Sequence, residues 1–588
     1  MSEPKKPDPI ILTLFANRFM SVAEAMGRSL QQTSISTNIK ERLDFSCALF
    51  GPDGDLVANA PFIPIHLGAM SFAVKYQMKL HAGTLKAGDV LMSNSPHAGG
   101  SHLPDITIIT PVFDTKTNEI IFFTASRGHH ADIGGILPGS MPPTSTTIFE
   151  EGANVESLKI VSDGIFDKKG LDRYMIEIPA SYPGSSGCRN IRDVESDLKA
   201  QIAANHKGVQ LIHAIIDDYG LEKVQEYMYH IRSNAEASVR NLLRQVVRKT
   251  GKNTLHAIDY LDNGSPIELK IDIDEKEGSA VMDFAGTGCE IRGNLNTPES
   301  VVHSAIIYCM RSMLDTDIPL NAGCLAPLQI NIPKGSLLSP SKTAAVCGGN
   351  VLTSQRIVDV VLKAFRACAA SQGCTNNLTF GVGGKDKDGK TTPGWGYYET
   401  IAGGSGAGPG WHGTSGVHTH ITNTRIGDVE ILERRYPIML HRFGIRPDSG
   451  GKGRWKGGDG VIREIEVLQP LQVSMLSERR TRQPYGMDCG EPGALGRNTW
   501  VKKARKEDED YPEGVGGEPE PRRINIGGKA TIFMGKGDRL LIETPGAGGW
   551  GHPIDSEHLY IAEDLSHLKA WEPRGSLRSK SQPEFGGF

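Results

Sequence analysis

Cysteine is scarce and irregularly placed in this chain of 588 residues, and long apolar runs are lacking. The nine cysteines include no Cys-x-x-Cys pair and no zinc-ribbon spacing, so no cysteine-based metal or redox motif is predicted. Their odd number, without an apolar leader after Met1, is typical of a reducing compartment, so we expect a cytoplasmic protein. No run of about 18 apolar residues occurs, so we expect no membrane-spanning helix and no membrane partner.

Signals for binding nucleotides or nucleic acids are also lacking. The glycine-rich stretch at 402–416 has no Gly-Lys-Ser/Thr ending, so it is not a phosphate-binding P-loop. No Gly-x-Gly-x-x-Gly lies in a credible strand-to-helix unit, so we assign no cofactor-binding residues to this chain. A formal net charge of −4 provides no global attraction for nucleic acid.

The length and the hydrophobic pattern predict a multi-domain, mixed α+β (α/β) fold. Helical periodicity near 10–32 and 192–250 alternates with β-like runs, and the 69 glycines indicate many tight turns and antiparallel hairpins. We expect four regions: an N-terminal α+β domain with a long helical pair at 1–250, a central α/β domain with the Gly-rich loop 402–416 at 251–455, a β-rich C-terminal region with a charged insert 502–523 at 456–565, and a disordered tail at 566–588.

The most informative motif is His-x-x-Asp, which occurs at 102–105 and again at 129–132. Between the two copies, the β-branched run 106–113 and the apolar run 120–124 predict two strands joined by a polar turn. The residues that flank the two strands of an antiparallel hairpin face each other, so both copies should meet at its open end. Two imidazoles and two carboxylates at that end would suit a divalent metal ion or an acid/base cluster.

One copy of this motif alone is weak evidence, because histidines at strand ends are ordinary hydrogen-bonding residues and aspartates often cap turns. When both copies lie at one hairpin end, the case for a metal or acid/base site becomes about as strong as the case for ordinary hydrogen-bonding residues. Glycines at 99–100 and 134–135 flank the copies and permit close approach of backbone or ligand. His97, just before the first copy, is a candidate hydrogen-bonding support for such a site.

Four residues farther along the chain are candidates for contacts with a substrate. His418 and His420 form a His-x-His pair, which favours a polar loop wall over a metal site because no carboxylate is nearby. Arg425 is suited to an anionic group, although ion pairing at the surface is the commoner role of a single arginine. Asn350 could line a cleft with its amide. Each of these signals is weak alone.

Longer segments, in order along the chain, resemble the hydantoinase B/oxoprolinase family over almost the full length. Within it the chain looks most like the C-terminal half of ATP-dependent 5-oxoprolinases. The segments that carry the resemblance are Glu-Arg-Leu-Asp-Phe-Ser-Cys at 41–47, Ile-Pro-Ile-His-Leu-Gly at 63–68, Gly-Gly-Ser-His-Leu-Pro-Asp-Ile-Thr at 99–107, Ser-Arg-Gly-His-His-Ala-Asp-Ile-Gly-Gly at 126–135, Gly-Asn-Val-Leu-Thr-Ser-Gln-Arg at 349–356, the stretches at 398–409 and 415–425, and Thr-Pro-Gly-Ala-Gly-Gly-Trp-Gly at 544–551. This match is far more specific than any short motif.

The resemblance implies a division of labour between two proteins or domains. An ATP-binding partner of the hydantoinase A type phosphorylates the lactam oxygen, and the hydantoinase B-type part hydrolyses the activated ring, which for 5-oxoproline yields glutamate. The family's metal site maps onto this chain, as a site for Zn²⁺ or Mn²⁺, with the ligands Asp44, His102, Asp105 and His129. His130 and Asp132 are adjacent and are the expected catalytic residues, with Asp132 as general base or orienting group.

Several interpretations stay open within and beyond this family. The ring that is opened could be N-methylhydantoin, hydantoin or caprolactam, and the family also contains components of acetone and acetophenone carboxylases. A non-enzymatic scaffold for a fused oxoprolinase is a further alternative, which the intact His/Asp set disfavours. Because the chain starts with Met1 at the second half of the fused pattern, we expect either a separate subunit in a hetero-oligomer or a truncated relative.

Overall fold

Four β-sheets separated by helices make up the described part of the molecule, which confirms the predicted mixed α+β class. The computed structural model describes residues 7–60, 62–114, 116–315, 318–385, 389, 391–506 and 519–553. The predicted tail at 566–588 and the middle of the predicted insert lie outside these residues. The four predicted domain ranges stay predictions.

The first sheet has seven strands in the described residues, in the order β2-β1-β5-β4-β3-β6-β7. Its core is covered on both faces, and this explains why the two central strands, β4 and β5, are buried almost throughout. The strands are β1 (Phe45–Phe50), β2 (Leu56–Asn59), β3 (Val90–Ser93), β4 (Asp105–Phe113), β5 (Ile120–His129), β6 (Leu158–Ser162) and β7 (Ile165–Phe166).

Helices pack on the two faces of this sheet. The predicted long helical pair is present, and Gly220, with a φ of 82°, separates its two members. The helices are α1 (Pro9–Thr33), α2 (Thr37–Lys40), α3 (Pro64–Leu80), α4 (Lys168–Asp172), α5 (Ile178–Ser181), α6 (Ile191–Tyr219) and α7 (Leu221–Thr250). One hydrophobic cluster joins α1, α6 and α7 to the sheet, and another joins α3 to its opposite face.

Helix α1 is long and apolar enough, by length and composition alone, to cross a membrane. The lack of an unbroken run of about 18 apolar residues predicted no such segment, because polar residues interrupt the apolar ones of α1. One face of α1 is buried, including Phe15, Phe19 and Met26, and Phe15 stacks on Tyr227 of α7 with ring centroids 4.7 Å apart. This packing is that of an amphipathic helix with one face against the hydrophobic core.

The remaining elements form three smaller sheets. Their strands are β8 (Thr254–Tyr260), β9 (Pro266–Asp274), β10 (Ser279–Asp283) and β11 (Leu328–Asn331) in the second sheet, β12 (Asn377–Lys385), β13 (Thr391–Glu399), β16 (Leu471–Leu476) and β19 (Lys529–Met534) in the third, and β14 (Ile438–Ile445), β15 (Val461–Val467), β17 (Arg497–Lys502), β18 (Arg522–Asn525) and β20 (Arg539–Glu543) in the fourth. The helices are α8 (Glu299–Met313), α9 (Ser354–Ala364) and α10 (Val429–Arg435).

The ends of the predicted charged insert at 502–523 are strands rather than loop. Lys502 ends β17, Arg522 and Arg523 begin β18, and Lys502 pairs directly with Arg522 in the antiparallel ladder. The predicted charged insert therefore begins and ends within paired strands. Charged side chains did not prevent strand formation there, because β18 is an edge strand and Lys502 is the last residue of β17, so these side chains stay at least partly in water.

Candidate metal centre

The open end of the β4–β5 hairpin brings His102 and Asp105 of the first His-x-x-Asp copy next to His129 of the second, whereas the predicted second carboxylate, Asp132, is not part of this group. Asp105 is the first residue of β4, His129 is the last residue of β5, and the two are direct partners in the ladder. His102 lies three residues before β4, in the turn that enters the strand. The side chains of all three are buried within the end of the sheet.

Three donor atoms from these side chains converge. The Nε2 atom of His102 lies 3.2 Å from Asp105 Oδ1 and 3.2 Å from His129 Nδ1, and His129 Nδ1 lies 3.3 Å from the same carboxylate oxygen. Asp105 Oδ1 has no well-directed hydrogen bond despite these short distances. Two nitrogens and one oxygen pointing at common space, within 4.8 Å of one another, form a group that fits a metal ion.

The second oxygen of Asp105 is held by two neighbours. Ser101 Oγ donates a hydrogen bond of 2.5 Å to Asp105 Oδ2, and His66 Nε2 lies 3.2 Å from the same oxygen. His66 is in the first turn of α3, and its Nδ1 lies 3.1 Å from Ser46 Oγ on β1. These contacts fix the carboxylate so that Oδ1 faces the two imidazoles, which is the role that outer residues have around metal ligands.

An aromatic ring fixes His129. Tyr398 of β13 stacks on the imidazole with ring centroids 4.1 Å apart and an interplanar angle of 13°. The Tyr398 hydroxyl accepts a 2.6 Å hydrogen bond from Asn377, and the buried guanidinium of Arg42 lies 5.0 Å from the ring centroid. The third sheet therefore supplies a wall of the site.

Asp44, which only the resemblance predicted as a ligand, lies next to this group but outside the set of three. Its backbone carbonyl accepts a 3.0 Å hydrogen bond from the His129 N–H, and its carboxylate lies 3.9 Å from the Arg42 guanidinium. Asp44 is buried. Its role as a fourth ligand stays a prediction.

The local electrostatics favour the protonation states that bind a cation. Burial alone would raise the pKa of the Asp105 carboxyl, but the neighbouring imidazoles of His102 and His66, together with weakly directed hydrogen bonds from His102 and His129, outweigh burial and hold that pKa well below its usual range. Burial lowers the pKa of His129, even though the neighbouring Asp105 and Asp44 carboxylates favour its charged form. At neutral pH the carboxylate is ionised and the His129 imidazole is neutral, as metal ligation requires.

The side chains of the two predicted catalytic residues, His130 and Asp132, contact residues outside the group of three. Successive side chains of a strand alternate in direction, so His130 turns away from His129, and its Nε2 lies 2.9 Å from Gln201 Oε1 on α6. Asp132 pairs with the buried Arg189 at 3.0 Å and accepts hydrogen bonds from the backbone N–H groups of Gly134 and Gly139. These contacts indicate an anchored turn. A catalytic role for either residue stays a prediction.

The four predicted substrate contacts are not all in one place. His418 and His420 line a cavity of about 320 Å³ beneath the Gly-rich loop. Asn350 is buried in a π-helical turn at Gly349–Thr353, and its Oδ1 has no hydrogen-bond partner. Arg425 is exposed, and its backbone N–H donates to the carbonyl of Arg42 at 2.9 Å. Their binding roles stay predictions.

Sequence reasoning from spacing missed His66, Ser101 and Tyr398 as parts of the site. His66 and Tyr398 are distant in sequence from the hairpin, and each reaches it only through the packing of α3 and β13. The available signal was their position inside segments that carry the family resemblance, at 63–68 and 398–409.

Solved structures and sequence relatives identify the class of this molecule. The ATP-dependent caprolactamase from Pseudomonas jessenii has the same fold, with a TM-score of 0.78 and 20% sequence identity, over 96% of this chain and 100% of that one. The chain is 53% identical over 560 residues to 5-oxoprolinase 1 of Arabidopsis thaliana. It is 28% identical over 581 residues to a putative D-/L-hydantoinase component, of the B type, from a Pseudomonas species.

The family model described as Hydantoinase B/oxoprolinase matches residues 8–553, and this chain belongs to that family. The match to the Arabidopsis protein spans 93% of this chain but only 42% of the Arabidopsis protein. Two other curated relatives are also covered to 42% of their own length. The match to the Pseudomonas hydantoinase component spans 95% of this chain and 93% of that protein.

Proposed function

We propose that this chain is the hydrolytic component of an ATP-dependent cyclic-amide hydrolase, with 5-oxoproline as substrate and glutamate as product. The observation that carries the proposal is the buried convergence of His102, Asp105 and His129 at the end of the central hairpin. The identity of 53% to a protein named 5-oxoprolinase 1 supports the choice of substrate. A scaffold would gain nothing from three buried ligand-type side chains aimed at one point.

The donor set of two imidazoles and one carboxylate suits Zn²⁺ or Mn²⁺. Such an ion supplies Lewis-acid chemistry, which makes water a better nucleophile at neutral pH. The chain's own residues hold the ligands in place: Ser101 and His66 orient Asp105, and Tyr398 keeps the His129 ring from turning. The closed surroundings at the end of the sheet restrict bulk water.

An unactivated lactam resists hydrolysis, so the reaction needs ATP. This sequence contains no nucleotide-binding motif, so we place ATP binding on a partner. A hydantoinase A-type partner transfers a phosphoryl group to the lactam oxygen. Water then adds to the activated carbon, the ring C–N bond breaks, and the released nitrogen takes up a proton. A further water releases inorganic phosphate from the acyl group. In the Arabidopsis relative, more than half of the length lies outside the region that matches this chain.

The test is ATP-dependent formation of glutamate from 5-oxoproline, with this chain alone and with a co-expressed hydantoinase A-type partner. We expect turnover only with the partner, and we expect it to require metal, with about one ion per chain after purification. The same assay run with hydantoin, N-methylhydantoin, caprolactam and acetone covers the other substrates of the family. An assembled, metal-loaded complex that opens none of the rings would overturn the proposal, and turnover of another ring would correct the substrate.

A further inference from the structure

A polar cavity of about 240 Å³ lies at the hairpin end, on the face that His130 occupies. His130 turns away from His129, and among the described residues that line the cavity none belongs to the group of three at the candidate metal centre. The other walls come from α2, the start of α6, β13 and the end of α10. The volume lies below the usual range for small-molecule pockets, so the cavity suits a small group.

The hydrogen bonds around His130 make its Nδ1 an unsatisfied acceptor. Gln201 Nε2 donates to two backbone carbonyls of the hairpin, those of Ile106 and Ser126, at 3.1 and 3.2 Å. The Oε1 atom of Gln201 is therefore the one that faces His130 Nε2, at 2.9 Å, and Nε2 carries the single proton of the neutral ring. Nδ1 then presents a lone pair, and it is buried without a hydrogen-bond partner.

Asp197 of α6 adds a second buried acceptor to the same lining. Its Oδ1 accepts hydrogen bonds from the backbone N–H groups of Ile35 and Ser36 at 2.8 and 3.4 Å, whereas its Oδ2 has no hydrogen-bond partner. Asp197 is 1% exposed, and no lysine or arginine in the described part of the chain forms an ion pair with it. A buried carboxylate without a positive partner is costly, so a positively charged group is expected beside it.

The charges around the cavity do not balance. Its described lining contains the charged residues Asp132, Asp193, Asp197 and Arg435. Arg189 already pairs with Asp132 at 3.0 Å, so two carboxylates remain against one guanidinium. That guanidinium is on an exposed residue, and its Nη1 donates to the Ile35 carbonyl and the Thr37 hydroxyl. Burial and the neighbouring charge of Asp197 raise the pKa of the Asp193 carboxyl, as expected where negative charge is in excess.

Two buried acceptors and a net negative charge define the chemistry that fits this cavity. A primary ammonium group carries one positive charge and three N–H donors, so it can bond to both acceptors at once. Trp395 and Tyr436 also line the cavity, and aromatic rings attract cations. A divalent metal fits less well, because in the described residues the only group with three converging ligand atoms is that of the candidate metal centre.

We propose that this cavity binds a protonated primary amine, which donates N–H groups to His130 Nδ1 and Asp197 Oδ2. The amine neutralises the buried carboxylate and satisfies the lone pair of the imidazole in one step. Its site lies on the opposite face of the hairpin end from the candidate metal centre, so it is a second binding site of the chain. The proposal does not rest on the proposed function, because neither bound metal nor ring opening enters it.

The direct test is a titration of the complete, unmodified chain with methylammonium, followed by saturation-transfer difference NMR. Methanol, of similar size but uncharged, is the matched ligand control. We expect saturable binding of methylammonium and an affinity for methanol that is lower by about tenfold or more, because hydrogen bonds between charged groups are the stronger ones.

A pair of variants tests the carboxylate. Asp197→Asn keeps an oxygen for the Ile35 N–H and removes the charge, so we expect methylammonium to bind about tenfold or more weakly. Asp217→Asn makes the same change at an exposed position of the same helix, and we expect it to bind methylammonium as the unmodified chain does.

Equal binding of methylammonium and methanol to the unmodified chain, or saturable binding of neither, would mean that water satisfies both acceptors, and would overturn the proposal. This comparison needs no variant to fold. Equal methylammonium affinities in Asp197→Asn and Asp217→Asn would overturn it as well. So would a second metal ion per chain that the unmodified protein binds and Asp197→Asn loses. None of these measurements uses ATP or ring opening, so failure of the proposed function would leave them unchanged.

Discussion

At the scale of single residues, Asp105 is the side chain on which the candidate metal centre depends most. One of its oxygens faces His102 and His129, and the other is held by Ser101 and His66. Both histidines can ligate in other arrangements, but no other carboxylate of the described residues belongs to the group of three. Removing the charge at this position therefore removes the only anionic ligand of that group.

We expect Asp105→Asn to reduce bound metal from about one ion per chain to nearly none and to abolish ring opening. The matched control is Asp114→Asn, at the opposite end of the same hairpin, where the carboxylate only caps the turn to Lys116 and Thr117. Metal analysis of both purified proteins checks the prediction. Full metal content in Asp105→Asn, with Asp114→Asn unchanged, would contradict the assignment of the centre.

Part of the site could be predicted from residue spacing because it depends on local geometry alone. His102, Asp105 and His129 lie at the two ends of one hairpin, and antiparallel pairing determines that such positions meet. His66 and Tyr398 arrive from α3 and β13, so their contribution depends on tertiary packing that spacing does not encode. The side chain of His130 lies on the other face from His129, because one residue along a strand reverses the face.

At the scale of elements, periodicity predicted the long helices and the central hairpin well. The span near 10–32 became Pro9–Thr33, and the helical span at 192–250 became two helices broken at Gly220. Glycine there adopts a positive φ of 82°, which explains the break. The order of strands in the four sheets could not be predicted in the same way, because partners such as β12 and β16 are far apart in the chain.

Helix α1 is an element whose place in the core is testable. Phe19 is fully buried against the first sheet and the α6–α7 pair, whereas Ile10 at the same helix is 78% exposed. We expect Phe19→Ala to destabilise the N-terminal part of the molecule by about 3–5 kcal/mol, and Ile10→Ala to change stability by less than about 0.5 kcal/mol. Thermal unfolding of the two variants measures the difference. Equal melting temperatures would show that α1 does not pack as described.

At the scale of the whole molecule, titratable groups with shifted pKa values make the stability depend on pH, and two kinds of group act in opposite directions. Burial lowers the pKa of six histidines, which are His81, His97, His129, His130, His303 and His418. Burial raises the pKa of the carboxyls of Glu151 and Asp193, which act in the other direction. The lowered pKa values of the Asp105 and Asp359 carboxyls act in the same direction as the histidines, so we expect stability to fall as the pH falls.

The sign follows from proton linkage. Below about pH 6.5, the unfolded chain protonates its histidines more fully than the folded chain does at these six positions, so the unfolded state binds more protons and stability falls as the pH falls. For His418, whose folded pKa is about 4, the loss between pH 6.5 and 4 is on the order of 3 kcal/mol. Melting temperatures at pH 7.5 and 5.0, taken with a chelator present, should therefore drop. The drop in melting temperature should be smaller in His418→Asn than in the unmodified chain. It should be the same as in the unmodified chain in the control His256→Asn, because the His256 side chain is 54% exposed. A melting temperature that stays constant between these two pH values would contradict the buried, neutral state of these histidines.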